Sequence, residues 1–391
     1  MLHVVAILLA LPLALCATYL LVLTLFSARG RPAAPEASCP RFTVVVPAHD
    51  EAASIAATLH SLGAVIYPPH RRRIVVVADN CSDGTAEVAR AAGAEVIERS
   101  DRERRGKGYA LEMAFDCLLA EGETDAFVVV DADTTVSPNL LLAFAERLAR
   151  GASVVQARYR VRNVRASWRT ELMTIALAMY HDLRSLARER LRVSCGLRGN
   201  GMCFAAATLR QLPHRVHGLV EDVEYAVELA LRGVRVHYAH GAEVHGEMPA
   251  GTAAAATQRQ RWESGRAQVR RSKLRPLLAR AVRARDPVAA ELAADLLTPP
   301  LATLVAYASM GLLAEVVAWA CGVGPTAAWP LWTGSSAALL AYVGRGLALS
   351  GLGLAGVHAL LRAPGYIAWK LLRVARRPAD SWVRTARDGR A

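Results

Sequence analysis

Two aspartates one residue apart, Asp131 and Asp133, close the apolar run Ala126-Phe127-Val128-Val129-Val130. Carboxylates at that spacing offer hard oxygens that suit Mg²⁺ or Mn²⁺ and, through the ion, a diphosphate. A solvated turn that merely ends a strand has the same residues, so the pair takes its meaning from its company. That company is acidic and basic at once. Asp50-Glu51 follows one apolar run, Ala78-Asp79-Asn80-Cys81-Ser82-Asp83-Gly84-Thr85 follows another, and Glu221-Asp222 opens a helical pattern. Acids in a first helical turn are commonly caps or dipole partners, so the last pair divides evenly between structure and chemistry. Lys107 stands in Arg105-Gly106-Lys107-Gly108, where glycines before a helix start let the backbone approach a phosphate, though an exposed loop reads the same way. Gly199-Asn200-Gly201 sets two glycines astride an Asn, a shape suited to close backbone contact with a ligand. Gln258-Arg259-Gln260-Arg261-Trp262 completes the set.

The elements that must position these residues alternate. Apolar strands are expected over 42–47, 73–77, 95–98, 126–130, 154–159 and 234–238. Helices are expected over 54–62, 85–92, 108–120, 168–191 and 221–232. This is a βαβ series, hence an α/β domain. Acidic loops at three successive strand ends fall on the carboxyl edge of its sheet, where open α/β sheets place their ligands.

Of the 391 residues 53% are hydrophobic, and the formal net charge is +13. Mean hydropathy is +0.23 and the isoelectric point is near 9.9. That balance hints at membrane segments and favours anionic partners. Arginines gather around 99–105, 158–169, 184–198, 259–285 and 362–390, flanking apolar segments, without zinc-finger spacing. The pattern favours juxtamembrane anchoring and nucleotide phosphate over nucleic acid. Seven cysteines without a Cys-x-x-Cys pair indicate reduced thiols, not a disulfide framework or a metal site. Residues 1–28 are expected to be a retained transmembrane helix, since the start carries no Lys or Arg as a signal peptide would. Arg29 and Arg31 after it put the N-terminus outside and the following domain in the cytoplasm. Apolar runs at 292–320, broken by Thr298-Pro299-Pro300, and at 331–354, with Arg345 inside, suggest two more spans. Residues 355–373 are expected to be interfacial, and the basic tail after them cytoplasmic.

The ordered motifs 47–51, 78–85, 105–108, 131–133, 199–201, 221–222 and 258–262 resemble the family 2 inverting glycosyltransferases, in particular the membrane branch with cellulose, chitin and hyaluronan synthases. The resemblance covers about 40–270 and implies a glycosyltransferase-A (Rossmann-like) cytosolic domain there. Residues 271–391 would supply interfacial and transmembrane helices, making a multi-pass protein of the cell membrane. It also implies a nucleotide-sugar donor, a UDP-sugar by the family's habit, with Glu51 and Asp79 by the base and ribose. Asp131 would lie near the nucleotide and share the divalent metal with Asp133, while Lys107 would sit by the phosphates. Asp222 takes the place of the catalytic base, with Glu221 the next candidate. Arg261 would hold the diphosphate, and Gln258, Trp262 and Asn200 the acceptor. Many relatives have two consecutive aspartates where this chain has Ala78-Asp79. The acceptor would be a lipid-linked or other glycan, in surface polysaccharide or glycolipid synthesis with other assembly proteins and no nucleic acid. Trp262 suits a sugar face or a membrane interface equally. Rival readings are a nucleotidyltransferase or sugar-nucleotide hydrolase, an inactive membrane scaffold, and an Arg-rich nucleic-acid binder.

Overall fold

The computed structural model describes residues 2–29 and 39–367. In chain order these form α1 (Leu2–Phe26), β1 (Phe42–Ala48), α2 (Ile55–Gly63), β2 (Arg72–Asp79), α3 (Thr85–Ala91), β3 (Glu95–Arg99), α4 (Lys107–Glu121) and β4 (Ala126–Val129). Next come β5 (Thr135–Val136), α5 (Leu140–Ala149), β6 (Val154–Val161), α6 (Trp168–Leu177), a π-helical turn (Ala178–Leu183), α7 (Arg184–Arg190), β7 (Met202–Ala205) and α8 (Ala206–Gln211). The chain closes with α9 (Glu221–Leu231), β8 (Val236–Gly246), α10 (Thr252–Arg283), α11 (Pro287–Leu297), α12 (Leu301–Ala320), α13 (Trp329–Ser350) and α14 (Gly353–Leu361).

The strands make one sheet in the order β3-β2-β1-β4-β7-β6-β8-β5. β1 to β4 are parallel neighbours, in registers such as Val44 opposite Ile74 and Val44 opposite Val128. The near-continuous apolar runs of β1, β2 and β4 follow from burial on both faces, while β3 is a half-exposed edge strand. Val45, Val75, Phe127 and Val129 point to one face, against Leu111, Ala114, Phe115 and Leu118 of α4. Val44, Val46, Val76 and Val128 point to the other, against Leu59 and Leu62 of α2 and Leu141 and Phe144 of α5. Each such side chain contributes roughly 1.5–3 kcal/mol by leaving water, which fixes the register at whose carboxyl end the acidic loops emerge.

The parallel series stops at β4. β7 enters antiparallel to both β4 and β6, and β8 then lies parallel to β6. Gly201 permits that insertion, since a Cβ there would stand 2.9 Å from the Val244 methyls. β8 also runs on to Gly246, eight residues past the strand end expected at 238.

Arg158, Arg184, Arg188 and Arg198 lie inside the protein and not at a charged flank, while Arg190 and Arg192 are exposed. Asp295 of α11 receives Arg184 and Arg188 at 2.6 Å and Arg266 at 2.8 Å. Glu291 accepts from Arg188 at 2.5 Å and from the Tyr19 hydroxyl of α1 at 2.7 Å. Losing one partner of such a buried network typically costs about 3–5 kcal/mol, so it ties α1, α7, α10 and α11 together. α10 runs unbroken through residue 270; the chain breaks before Asp286, which caps α11 by accepting from the Val288 and Ala289 amides.

Among the described residues two helices are long and apolar enough to cross a membrane, His3–Phe26 and Leu301–Ala320. α1 buries only a stripe, Ala10, Leu13, Ala17, Leu20 and Leu23, and leaves Leu8, Leu15 and Leu25 more than 60% exposed. α13 buries Trp332, Tyr342 and Leu349 on one face, and its Arg345 donates to the Ser27 carbonyl and hydroxyl at the end of α1. The linker at 30–38 and the basic tail from 368 lie outside the described residues.

Candidate active site

Strand β4 delivers Asp131 and Asp133, and the turn carrying them is clamped from both sides. Asn200, wholly buried, accepts from the Asp131 amide at 3.1 Å and donates to the Thr134 hydroxyl at 2.7 Å. Gln156 in turn donates to the Asn200 carbonyl at 2.7 Å and accepts from the Arg198 amide at 2.9 Å. On the other side the Thr58 hydroxyl donates to the Ala132 carbonyl at 2.8 Å. Asn200 is thus engaged beneath the turn through both amide atoms.

Lys107, in the first turn of α4, donates to Asp131 Oδ1 at 2.5 Å and to the Gly199 carbonyl, with Glu221 Oε1 at 3.9 Å. Burial disfavours its charge, but Asp131, Glu221 and Asp222 outweigh that and hold the ammonium above its ordinary pKa. Burial pushes the Glu221 and Asp222 carboxyls above the usual carboxylate range, Lys107 opposing it in each. Gly199 has φ +74°, and a Cβ there would stand 3.4 Å from Asp222 Oδ2, so the loop passes directly under that carboxylate. Burial also raises the Tyr159 pKa, and the charges of Asp133 and Asp131 add to the effect while Arg261 opposes it. The two aspartates, the tyrosine and the arginine therefore share one locality.

Two devices bring Glu221 and Asp222 here. The segment before them is pinned to α4 by His217, which stacks on Tyr109 at 3.8 Å and pairs with Glu112. Gly265 lets α10 approach Val220, because a Cβ at that position would meet the Val220 methyls at 2.8 Å. α10 then presents Gln258, Arg261 and Trp262 to the same space. Trp262, half-buried, packs against the apolar clusters around Val220 and Met248.

At the far end, Asp50 and Asn80 adopt positive φ, which their short polar side chains tolerate. Asp50 accepts from the Ser82 amide at 2.6 Å, and Glu51 from the Ser54 hydroxyl at 2.5 Å. Asp79 pairs with Arg99 of β3 at 2.6 Å.

Glu51, Asp79, Lys107, Asp131, Asp133, Glu221, Asp222, Gln258, Arg261 and Trp262 line one cavity of about 2100 Å³, and Asn200 supports it from below. Buried Gln258 Oε1 and Arg261 Nε line it without a hydrogen-bond partner among the described residues. A buried donor or acceptor left so is costly, and marks where a ligand's polar atoms belong. Hard carboxylate oxygens at Asp131 and Asp133, facing Lys107 and Arg261, fit a divalent cation with a diphosphate. Sequence reasoning missed Tyr159, Tyr180, His181 and Arg198 of the lining and Gln156 beneath it. The position of Arg198 beside Gly199-Asn200 was a signal for that residue alone.

The profile of the family described as Glycosyltransferase like family 2 matches residues 40–265. The chain is 25% identical over 235 residues to the probable glycosyltransferase YdaM of Bacillus subtilis (strain 168), which is 58% of this chain and 55% of that protein. It is 33% identical over 128 residues to the glycosyltransferase AglD of Haloferax volcanii, 31% of this chain and 20% of that one. These matches span about half or less of the relatives' own lengths. Among solved structures, the mannosyltransferase PcManGT from Pyrobaculum calidifontis, in complex with GDP-Man and Mn²⁺, is similar in fold. The TM-score is 0.56 at 21% identity, over 89% of this chain and 99% of that one.

Proposed function

Because the chain belongs to the family described as Glycosyltransferase like family 2, we propose that it is a membrane-bound inverting glycosyltransferase. It moves a sugar from a nucleotide-sugar donor to a lipid-linked or glycan acceptor, in surface polysaccharide or glycolipid synthesis. The observation that carries the reading is the convergence of Asp131, Asp133, Lys107, Glu221, Asp222, Gln258 and Arg261 on one cavity, with Gln258 and Arg261 holding polar atoms in reserve.

Each residue then has a task. Asp133, with Asp131 beside it, would hold a divalent metal, which when bound supplies charge stabilisation to the departing diphosphate. Lys107 and Arg261 place cations where that negative charge develops. Asp222, its pKa raised by burial, takes the proton of the acceptor hydroxyl as that oxygen attacks the anomeric carbon. One displacement inverts the configuration. Glu51 and Asp79 lie toward the nucleoside end, and Asn200 keeps the Asp131 turn in place. The exposed apolar faces of α1 and α12 support the membrane-bound, multi-pass reading, and Arg29 and Arg31 after α1 favour the catalytic domain in the cytoplasm.

The test is incubation of the purified protein with UDP- and GDP-sugars, with Mg²⁺ or Mn²⁺, following nucleoside diphosphate release. Release should require an acceptor and stop with chelator. Equal release without acceptor would favour a sugar-nucleotide hydrolase instead.

A further inference from the structure

The cavity is larger than one donor needs, since small-molecule sites run to roughly 300–1,000 Å³ and this one reaches about 2100 Å³. Its remaining wall begins at the π-helical turn, a distortion often found at functional sites, which carries Tyr180 and His181 to the cavity. Arg198 lies there with 9% exposure. It donates from Nη2 to the carbonyls of Cys195, at 2.8 Å, and Tyr180, at 3.4 Å. Its Nε is buried with no partner, as is His181 Nδ1. Among the described residues no carboxylate pairs with it, while Arg184 and Arg266, also around the Tyr180 ring, share Asp295 with Arg188. Arg184, Arg188 and Arg266 thus share the two carboxylates Asp295 and Glu291, and Arg198 is left with no carboxylate at ion-pair distance among the described residues. Burying an uncompensated cation is expensive, so an anion belongs at this end.

Beyond the arginine the wall turns apolar: Ala176 of α6, Leu301 and Val305 of α12, Leu340 and Val343 of α13, and Leu360 of α14. Leu340 is 73% exposed, so the wall runs out onto the same apolar exterior that α12 presents. A cation inside and a greasy exit fit a single ligand that is anionic at one end and aliphatic at the other.

The geometry points to a binding site for the phosphate of a lipid-borne acceptor, held by Arg198 and His181 with its alkyl chain along α12, α13 and α14. This rests on the glycosyltransferase reading and narrows its acceptor to a phosphate-bearing lipid whose headgroup hydroxyl reaches Asp222.

The experiment uses the full chain in a neutral maltoside detergent, with hexadecyl phosphate, hexadecanol and inorganic phosphate as probes and nucleoside diphosphate with Mn²⁺ as control. Hexadecyl phosphate should bind saturably, and each half-probe at least about 10-fold more weakly. Arg198→Gln should weaken hexadecyl phosphate on the order of 10- to 100-fold, the range of a charge-assisted hydrogen bond, and leave the nucleotide affinity unchanged. Val343→Trp, which fills the wall without touching a polar group, should weaken hexadecyl phosphate but not inorganic phosphate. Hexadecanol binding as tightly as the phosphate, or an Arg198→Gln protein with parental affinity, overturns the proposal. So does a loss confined to the nucleotide, which would assign Arg198 to the donor. If the parent protein binds hexadecyl phosphate but no nucleotide, it is the glycosyltransferase reading that fails.

Discussion

Asn200→Ala separates a clamp from a substrate contact. The side chain is wholly buried, and its two hydrogen bonds hold the Asp131 amide and the Thr134 hydroxyl. Alanine removes both bonds and leaves the half-buried Asp131 amide without its acceptor. Each lost bond is worth about 1 kcal/mol and the orphaned donor about 1–3 more, so the loss should total roughly 3–5 kcal/mol. The unfolding temperature should fall by several degrees. Because the bond to Asp131 orients the proposed metal turn, Mn²⁺-dependent nucleoside diphosphate affinity should drop on the order of 10- to 100-fold, as for other residues that orient metal ligands. Calorimetric titration and thermal unfolding of the same preparation read both. An unchanged unfolding temperature and nucleotide affinity, with only a higher KM for acceptor, would refute the clamp and restore Asn200 to the acceptor.

Three other outcomes follow from the same geometry. Arg261→Ala should slow transfer and also weaken retention of the nucleotide product, because its unpartnered Nε faces the proposed diphosphate; product affinity by calorimetry checks it. Burial holds the Glu221 and Asp222 pKa values above their unfolded ones. Their contribution to stability is therefore present at low pH and lost as pH rises through the folded values. Asp222→Asn should then raise the unfolding temperature at neutral pH, and a lower one would mean that the ionised group is stabilised. A reporter at the N-terminus should behave as external and one at the C-terminus as cytoplasmic, from Arg29 and Arg31 after α1; a C-terminal reporter outside would mean that residues 355–373 span the membrane.

The parallel half of the sheet was legible because its strands are continuous apolar runs closed by acids, as at Val128-Val129-Val130-Asp131. The antiparallel half was not. β7 is only Met202–Ala205, with no alternation to mark it, and its place between β4 and β6 depends on Gly201 yielding room to Val244. Asn200 was singled out by its glycines, but only the fold shows that its amide turns inward to the Asp131 turn. The internal arginines misled for a related reason. Arg184 and Arg188 find their carboxylates at Glu291 and Asp295, more than 100 residues away, so in sequence they look like a solvated face. Tyr180 and His181 were hidden because nothing local announces a π-helical turn.

The central claim is that Asp222 deprotonates an acceptor hydroxyl in this cavity. Single-turnover sugar transfer by Asp222→Asn against the parent protein, with nucleoside diphosphate affinity measured alongside, tests it most directly. Asparagine keeps the size of the side chain, so the nucleotide should bind as before while transfer falls by a factor on the order of 100 to 10,000, the usual contribution of a positioned acid–base group. Transfer at near the parental rate would contradict the account and move the base elsewhere, first to Glu221.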